Sequence, residues 1–321
     1  MTLPTPTAEF IECIESTLKL DSKPQLISQS QNTVFEAYLN NIKIALRVTT
    51  DKHRTHEQIQ SEITLIKEII NIVELPNQPI PLKLDQYVLP ITYEHDTYYA
   101  VAYKYIDGRP LDPKNTYEIM SSSAILARFH RATTGKLKSI DRPTLLHSAI
   151  YDISHSTHDQ FSDELVAWKS GLQSSPPFYG LIHGDYNFSN LIKSSTYIYL
   201  IDFEDSCYGW YAYDIANALY MELFDQRKEQ AYVKFSDFFK PFLQSYFSAW
   251  PEAKVILDDI PMFVTYRVLM LESWLNGNSA APAFIKSATT PWKKELLQFI
   301  DLYKTKLYPL IKNISSSEML E

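Results

Sequence analysis

The sequence predicts an α+β fold of two lobes, in which a small antiparallel β-sheet lobe with one helix precedes a larger, mostly α-helical lobe. Two observations support this prediction. Short segments rich in β-branched and aromatic residues end near Tyr105, and long segments with apolar residues at helical spacing dominate from Tyr117 onward. We therefore expect an N-terminal lobe over residues 1–105 and a C-terminal lobe over residues 106–321.

The N-terminal lobe is expected to contain a hairpin, a helix and two further strands. Asn40-Asn41 separates two β-rich segments, as in a two-residue hairpin turn. Thr55 precedes a run of isoleucines at helical spacing, so we predict that it is the N-cap. The predicted elements are a helix over 8–18, strands over 33–39 and 42–48, a helix over 55–72, and strands over 86–92 and 97–105.

Most of the C-terminal lobe is expected to be helical, because apolar residues recur there with the helical period. Proline ends or kinks a helix, so we expect breaks at Pro241 and Pro261. The predicted helices cover residues 118–132, 211–224, 230–246, 254–275 and 292–311.

The composition argues against several classes of protein. The chain has 321 residues, of which 45% are hydrophobic and 21% charged, as in an ordinary globular protein. A net charge of −8 argues against binding nucleic acid through its phosphates. The two cysteines suggest neither a disulfide framework nor a zinc site, and we expect Cys207 to be a packing residue rather than a functional thiol.

Membrane and export signals are also missing from the sequence pattern. The chain has no apolar run long enough for a membrane span, and its first residues lack the basic and apolar regions of a signal peptide. We therefore expect a cytoplasmic enzyme with no membrane or nucleic-acid partner.

The most informative segment is Leu-Ile-His-Gly-Asp-Tyr-Asn-Phe-Ser-Asn over residues 181–190, followed by Ile-Asp-Phe-Glu-Asp over residues 201–205. Asp185, Asn190 and Asp202 have the spacing of a phosphoryl-transfer catalytic loop. In that chemistry Asp185 takes or orients the proton of a substrate hydroxyl, and Asn190 and Asp202 hold Mg²⁺ against the phosphates of ATP. An ordinary turn would explain His-Gly-Asp alone, but it would not explain the whole set.

With these motifs the chain resembles the aminoglycoside phosphotransferase/choline kinase superfamily, which has a protein-kinase-like fold. Arg-Val-Thr at 47–49, residues 53–59 and Tyr-Gly-Trp at 208–210 further resemble the bacterial homoserine-kinase-type-II-like phosphotransferases. The resemblance covers about residues 26–219. Its motifs are specific to the superfamily and name no substrate.

The resemblance implies a role for each matching residue. Asp185 is the catalytic base, and Asn190 and Asp202 are the metal ligands. Arg47 contacts the α- and β-phosphates of ATP and pairs with a carboxylate on the following helix, for which we predict Glu62, with Glu57 in reserve. The alternative for Arg47 is a surface charge on an edge strand.

The nucleotide loop departs from the protein-kinase pattern, because residues 28–34 contain no glycine. We predict that backbone N–H groups and the side chains of Ser30, Asn32 and Thr33 hold the phosphates. Adenine is expected to bond to the backbone around residues 103–105, which makes Tyr103 and Tyr105 cofactor-binding candidates. Tyr103 would otherwise be a strand core residue.

Two further residues are predicted to support the catalytic loop. His183 matches the position that braces it. Asp214 matches a family aspartate that accepts backbone N–H bonds, although helix N-capping would explain it equally well. His130 is expected to be a packed core histidine.

The acceptor pocket is expected in the C-terminal lobe. Aromatic residues there would bind a cation or a sugar, and an arginine would bind a carboxylate. The alternative is that these residues are ordinary core and surface. The candidates are Asp205, Trp210, Tyr211, Arg267 and Trp274.

These inferences predict an ATP- and Mg²⁺-dependent phosphotransferase that acts on a hydroxyl of a small molecule, such as an amino alcohol, a hydroxy amino acid, a sugar or an aminoglycoside-like compound. The alternatives are a protein Ser/Thr kinase of the same fold and a non-catalytic nucleotide-binding scaffold. Gly184 replaces the Arg of His-Arg-Asp, and Glu204 replaces the Gly of Asp-Phe-Gly, which disfavours a protein kinase.

Overall fold

A computed structural model describes residues 6–73, 77–136, 140–147, 152–227 and 235–315. It has the predicted α+β fold, with an antiparallel sheet and many helices. The chain forms two compact units. The first unit comprises residues 1–109 and 192–204, and the second comprises residues 110–191 and 205–321. Residues 192–204 therefore group with the N-terminal part, whereas we had assigned them to the C-terminal lobe.

The first unit contains an antiparallel sheet and two helices. The elements in chain order are α1 (Ala8–Leu18), β1 (Gln25–Gln29), β2 (Thr33–Leu39), β3 (Ile42–Thr50), α2 (His56–Ile70), β4 (Pro79–Ile80), β5 (Val88–Tyr93), β6 (Asp96–Lys104) and β7 (Arg109–Pro110). The strands of the sheet run in the order β1-β2-β3-β6-β4, and β5 pairs with β6.

The predicted first hairpin is confirmed. Leu39 and Ile42 are paired at its end, and Asn40 and Asn41 have φ angles of 52° and 61°. A two-residue hairpin turn needs positive φ at both central residues, which asparagine adopts more readily than most residues. On β2, Phe35 alternates with outward-facing residues and joins the core.

The helix after this hairpin begins where the sequence predicts. Thr55 is the N-cap of α2 and forms a capping box with Gln58: the Thr55 hydroxyl accepts the Gln58 N–H, and the Gln58 side chain accepts the Thr55 N–H. The isoleucines at helical spacing are buried. The same buried face includes Glu62, which is 2% exposed.

The second unit is mainly helical. Its helices are α3 (Thr116–Thr133), α4 (Gln160–Lys169), α5 (Tyr211–Gln226), α6 (Phe235–Ala249), α7 (Ile260–Leu275), α8 (Ala283–Lys286), α9 (Thr290–Leu302) and α10 (Tyr308–Lys312). The described residues also contain the strands β8 (Tyr179–Ile182), β9 (Leu191–Lys193), β10 (Ile198–Leu200) and β11 (Cys207–Trp210), of which β10 belongs to the first unit.

One strand pair positions the predicted catalytic loop. β8 and β11 are antiparallel, with Ile182 opposite Cys207. Because β8 ends where β11 begins, the His-Gly-Asp residues that follow β8 lie beside the residues that precede β11. Helix α5 starts at the other end of this strand pair, and Asp214 on α5 accepts hydrogen bonds from the backbone of the loop.

The predicted break at Pro241 is wrong, because this proline lies inside α6. It removes one backbone hydrogen bond in the middle of the helix, and the packing of α6 against α3 supports the helix in spite of this loss. The predicted start at residue 230 lies outside the described residues. Pro261 does mark a boundary, since it lies in the first turn of α7 and follows a 3₁₀ segment over Pro251–Asp259.

Among the helices of the described ranges, none combines the length and the apolar character needed to span a membrane.

Candidate active site

Arg47 and Glu62 form the ion pair that the sequence predicts. Two nitrogens of the guanidinium donate to the two carboxylate oxygens, Nη1 at 3.0 Å and Nη2 at 2.6 Å. Both side chains are buried. Burial alone would lower the pKa of Arg47, but the charges of Glu62 and Glu204 raise it, so the guanidinium stays charged. Glu57, the reserve candidate, is exposed at the beginning of α2.

Arg47 also faces two acids from the segment that follows β10. Its Nη1 lies 3.7 Å from Glu204 Oε2 and 3.9 Å from Asp202 Oδ1. Asp202 has a φ of 65°, and its side chain is 40% exposed. The predicted metal ligand therefore lies next to a fixed positive charge, which favours its ionised form.

Glu204 is a part of the site that the sequence did not reveal. Its carboxylate accepts a hydrogen bond from Asn32 Nδ2 at 2.8 Å and lies 3.4 Å from His53 Nε2. Burial would raise the pKa of Glu204, but the hydrogen bond from His53 and the charges of Arg47 and Arg54 hold it well below its usual range. Glu204 is therefore a carboxylate at neutral pH.

The structure gives Asn32 a different role from the predicted phosphate contact. Its side chain is engaged at both ends, because Nδ2 donates to Glu204 and Oδ1 accepts the Thr49 hydroxyl at 2.7 Å. Thr33 is 3% exposed on β2, which also removes its side chain from the surface. Ser30 is exposed, and its N–H closes the turn onto the Asn32 carbonyl at 2.9 Å.

Part of the backbone that is predicted to contact adenine already has hydrogen-bond partners within the protein. The N–H of Lys104 donates to Gln78 at 2.9 Å, and its carbonyl accepts from Asn77 at 2.7 Å. The N–H of Tyr105 donates to Lys43. This stretch is therefore bonded within the first unit. The Tyr103 hydroxyl donates to Glu62 Oε1 at 3.2 Å, so its side chain supports the Arg47 ion pair.

In the second unit, three asparagine amides hold the carboxylate of Asp185. Asn187 and Asn190 donate to Oδ2 at 3.1 and 3.2 Å, and Asn217 donates to Oδ1 at 3.3 Å. The Asp185 carbonyl also accepts from Asn187 and Asn190. The half-buried carboxylate is thus oriented by neutral donors. Since the carboxylate and the carbonyl are both acceptors, the amide nitrogens must face Asp185.

Asp214 fixes the backbone that precedes Asp185. Its Oδ2 accepts the N–H of His183 at 2.7 Å, and its Oδ1 accepts the N–H of Gly184 at 2.9 Å. The N-cap of α5 is Trp210, so Asp214 does not act as a helix cap. Of the two alternatives from the sequence, the structure supports backbone N–H acceptance. His183 is fully buried beside this carboxylate, as expected of a bracing residue.

His130 is buried, as predicted, and it also belongs to this network. Its Nε2 lies 3.0 Å from Asp214 Oδ2, and its Nδ1 lies 2.8 Å from the Tyr246 hydroxyl. Burial lowers the pKa of His130 despite the hydrogen bond to Asp214. We therefore assign the neutral tautomer in which Nε2–H donates to Asp214 and Nδ1 accepts from Tyr246.

The glycine at position 184 is required by geometry. Its φ is +85°, and a Cβ there would lie 2.2 Å from the Asp205 carbonyl oxygen. No side chain fits at that distance, so arginine cannot occupy this position with this backbone. The loop passes next to Asp205 because β8 and β11 are paired.

Two predicted acceptor residues, Trp210 and Tyr211, lie in the core instead. Trp210 is 7% exposed and donates from Nε1 to the Gln173 carbonyl at 3.0 Å. Tyr211 is fully buried, and its hydroxyl lies 2.9 Å from Thr134 Oγ1. Both are therefore packing residues of the core, Trp210 at the end of β11 and Tyr211 at the start of α5.

The other acceptor candidates are also engaged within the second unit. Trp274 is 9% exposed and lies edge-on to Phe284. Arg267 donates to the Tyr213 hydroxyl at 3.1 Å. Asp205 is half-buried, and its backbone lies against Gly184. The acceptor roles of Asp205 and Arg267 remain predictions.

The site residues that the sequence missed have weak sequence signals. Asn217 lies three residues after Asp214, hence on the same side of α5, and this spacing would have pointed to it. In the sequence, Glu204 stands out only because it replaces the glycine of Asp-Phe-Gly. Cys207 is buried as predicted, and burial raises the pKa of its thiol well above the usual value.

Comparisons with known proteins identify the family and the fold. A family model, the APH phosphotransferase enzyme family, matches residues 26–255. No curated protein matches significantly.

Three solved structures share the fold. An amicoumacin kinase in complex with AMP-PNP, Ca²⁺ and Ami has a TM-score of 0.75 and 19% identity, over 94% of each chain. A microcompartment-associated aminopropanol kinase has a TM-score of 0.70 and 18% identity, over 97% of this chain and 98% of that one. A Plasmodium vivax ethanolamine kinase has a TM-score of 0.60 and 16% identity, over 90% of this chain and 84% of that one. Because the family model spans well over half of the chain, the protein belongs to the APH phosphotransferase enzyme family.

Proposed function

We propose that this protein is a small-molecule kinase that transfers the γ-phosphoryl group of ATP, with Mg²⁺, to a hydroxyl. The observation that carries the proposal is the carboxylate of Asp185, which is half-buried and oriented by the amides of Asn187, Asn190 and Asn217. A base aligned in this way suits a reaction that depends on positioning more than on covalent chemistry.

The proposed reaction is an in-line displacement. The acceptor hydroxyl oxygen bonds to the γ-phosphorus while the bond from that phosphorus to the β–γ bridging oxygen breaks. ADP leaves, and the hydroxyl proton passes to the Asp185 carboxylate. The asparagine donors hold the carboxylate in one orientation without protonating it, so that it can receive the proton.

Asn190 and Asp202 remain the proposed metal ligands. Asn190 directs Nδ2 to Asp185, so Oδ1 is the atom through which it would bind a cation. An amide oxygen and a carboxylate are the hard ligands that Mg²⁺ prefers. When bound, Mg²⁺ would neutralise charge on the phosphates.

The acceptor class is proposed from the relatives. Two neighbours are named as an aminopropanol kinase and an ethanolamine kinase, so amino alcohols come first. Hydroxy amino acids, sugars and aminoglycoside-like compounds follow. Arg47 is proposed to contact the ATP phosphates, since its guanidinium is buried and charged.

The test is phosphate transfer from ATP to a panel of these four acceptor classes, with products identified by mass spectrometry. Wild type should phosphorylate at least one acceptor in the presence of Mg²⁺. Asp185→Asn should lose at least about a hundredfold in kcat, because the proton acceptor is removed. Asp301→Asn, which alters an exposed aspartate, is the matched control and should keep full activity.

Two outcomes would contradict the proposal. Full activity in Asp185→Asn would remove the proposed base. Nucleotide binding by wild type with no transfer to any member of the panel would favour the non-catalytic scaffold.

A further inference from the structure

The turn between β1 and β2, over residues 30–32, is bonded to the segment that carries Asp202. Asn32 makes the connection, because Nδ2 donates to Glu204 Oε2 at 2.8 Å and Oδ1 accepts the Thr49 hydroxyl at 2.7 Å. Asn32 is 8% exposed and Thr49 is 1% exposed, so water competes little for either bond.

We propose that Glu204 is a positioning residue that holds this turn through Asn32. We call Asn32, Thr49 and Glu204 the Glu204 clasp. Its importance for catalysis rests on the proposed function, in which this turn lies at the ATP phosphates. The Glu204 clasp restrains the turn whether or not the protein transfers phosphate.

The turn needs such a restraint because its backbone supplies few bonds. Residues 28–34 contain no glycine, so the turn is not of the glycine-rich kind that covers phosphates in protein kinases. The β1–β2 register shifts between Leu26 and Ser28, and Gln29–Thr33 is the last pair before the turn. The side chain of Asn32 therefore adds two buried bonds where the strand pairing ends.

Glu204 is itself held from other directions. Its side chain is 10% exposed, with Arg47 Nη1 at 3.7 Å and His53 Nε2 at 3.4 Å. Arg47 comes from β3, and His53 lies between β3 and α2. A carboxylate fixed by these neighbours is a rigid anchor, so the position of the turn depends on whether Asn32 is bonded to it.

The first test is amide hydrogen exchange in the free protein, which does not require activity. Asn32→Ala and Thr49→Val should each exchange about tenfold faster over residues 28–34 than wild type, because each removes a buried bond of the clasp. The double variant Asn32→Ala/Thr49→Val should exchange no faster over residues 28–34 than Asn32→Ala, because Asn32→Ala already removes the bond to Thr49. Asp96→Asn, which removes the exposed Lys52–Asp96 pair in the same unit, should leave this segment unchanged.

Unchanged exchange over residues 28–34 in Asn32→Ala would overturn the clasp. Unfolding of each variant in urea should be measured in parallel. If exchange accelerated equally in all parts of the first unit, the substitution would have destabilised the whole unit, and the clasp would again be overturned.

The second test uses kinetics. Asn32→Ala should raise KM for ATP by about tenfold and change kcat less, because the turn is displaced while Asp185 is untouched. A raised Mg²⁺ requirement in Glu204→Gln, with normal KM for ATP in Asn32→Ala, would show that Glu204 acts on the metal and would overturn the clasp. If wild type transfers no phosphate at all, the proposed function fails, and hydrogen exchange still decides the clasp.

Discussion

Asp214 holds Gly184, the residue directly before Asp185, through a hydrogen bond of 2.9 Å from the glycine N–H to Oδ1. The other carboxylate oxygen accepts from the His183 N–H and lies within hydrogen-bond distance of His130 Nε2. Asp214 is fully buried, so these donors replace all of its contact with water. Asp214 on α5 thus determines the position of the proposed base, Asp185, by holding the backbone of the two residues before it.

Replacing Asp214 with Asn should be strongly destabilising. An amide has only one oxygen, and its NH₂ group would face a backbone N–H, which leaves a buried donor unsatisfied. We expect the free energy of unfolding to fall by about 3 kcal/mol, measured by urea denaturation. Asp225→Asn, on the exposed side of the same helix, should change it by less than about 0.5 kcal/mol. Equal stability of the two variants would contradict the role of Asp214.

The neutral state of His130 predicts that stability depends on pH. Burial lowers its pKa in the folded protein below the ordinary value of 6.5. As pH falls below 6.5, the unfolded chain binds a proton that the folded protein does not, so stability is lost. The slope contributed by this residue should reach at most about 1.4 kcal/mol per pH unit.

The measurement is urea unfolding of wild type and His130→Gln between about pH 7.5 and about pH 5.5. Glutamine does not titrate, so the difference between the two curves isolates His130. We expect wild type to lose stability more steeply than the variant as pH falls. Parallel curves would show that His130 is protonated to the same extent in both states.

Gly184 and Gly135 offer a matched pair of substitutions. Both have positive φ, +85° and +72°, but a Cβ at Gly135 meets no atom within 4 Å, whereas at Gly184 it lies 2.2 Å from Asp205 O. Alanine at Gly135 should cost about 1 kcal/mol of unfolding free energy from backbone strain alone. Alanine at Gly184 should cost at least about 3 kcal/mol, because the β8–β11 end must also move. Similar losses in the two variants would show that the loop yields without strain.

Local patterns made part of this site predictable. Asp185 and Asn190 lie at a fixed spacing within one loop. Arg47 and Glu62 lie on a strand and on the helix that follows it, so their pairing is also predictable. Such features depend on short stretches whose geometry the sequence constrains. The capping box at Thr55 is predictable for the same reason.

The remaining parts depend on packing between distant residues. Asn32 and Glu204 are 172 residues apart in sequence, and only the fold brings them together. The sequence does not distinguish a buried aromatic residue from one that lines a pocket, so the burial of Trp210 and Tyr211 appears only in the fold. The expected break at Pro241 does not occur, because tertiary packing overrides local propensity.

The Arg47–Glu62 pair gives a direct test of which acid supports the arginine. Glu62→Gln should lower the free energy of unfolding by about 3 kcal/mol, because Arg47 would keep its buried charge and lose its bidentate partner. Glu57→Gln alters an exposed acid in the first turn of α2 and should cost less than about 1 kcal/mol, the usual value for the helix dipole. The two substitutions are chemically identical and lie on one helix, so propensity effects largely cancel in a urea comparison. A larger loss for Glu57→Gln would reverse the assignment. A small loss for Glu62→Gln would mean that Glu204 and Asp202, at 3.7 and 3.9 Å from Arg47, compensate its charge on their own.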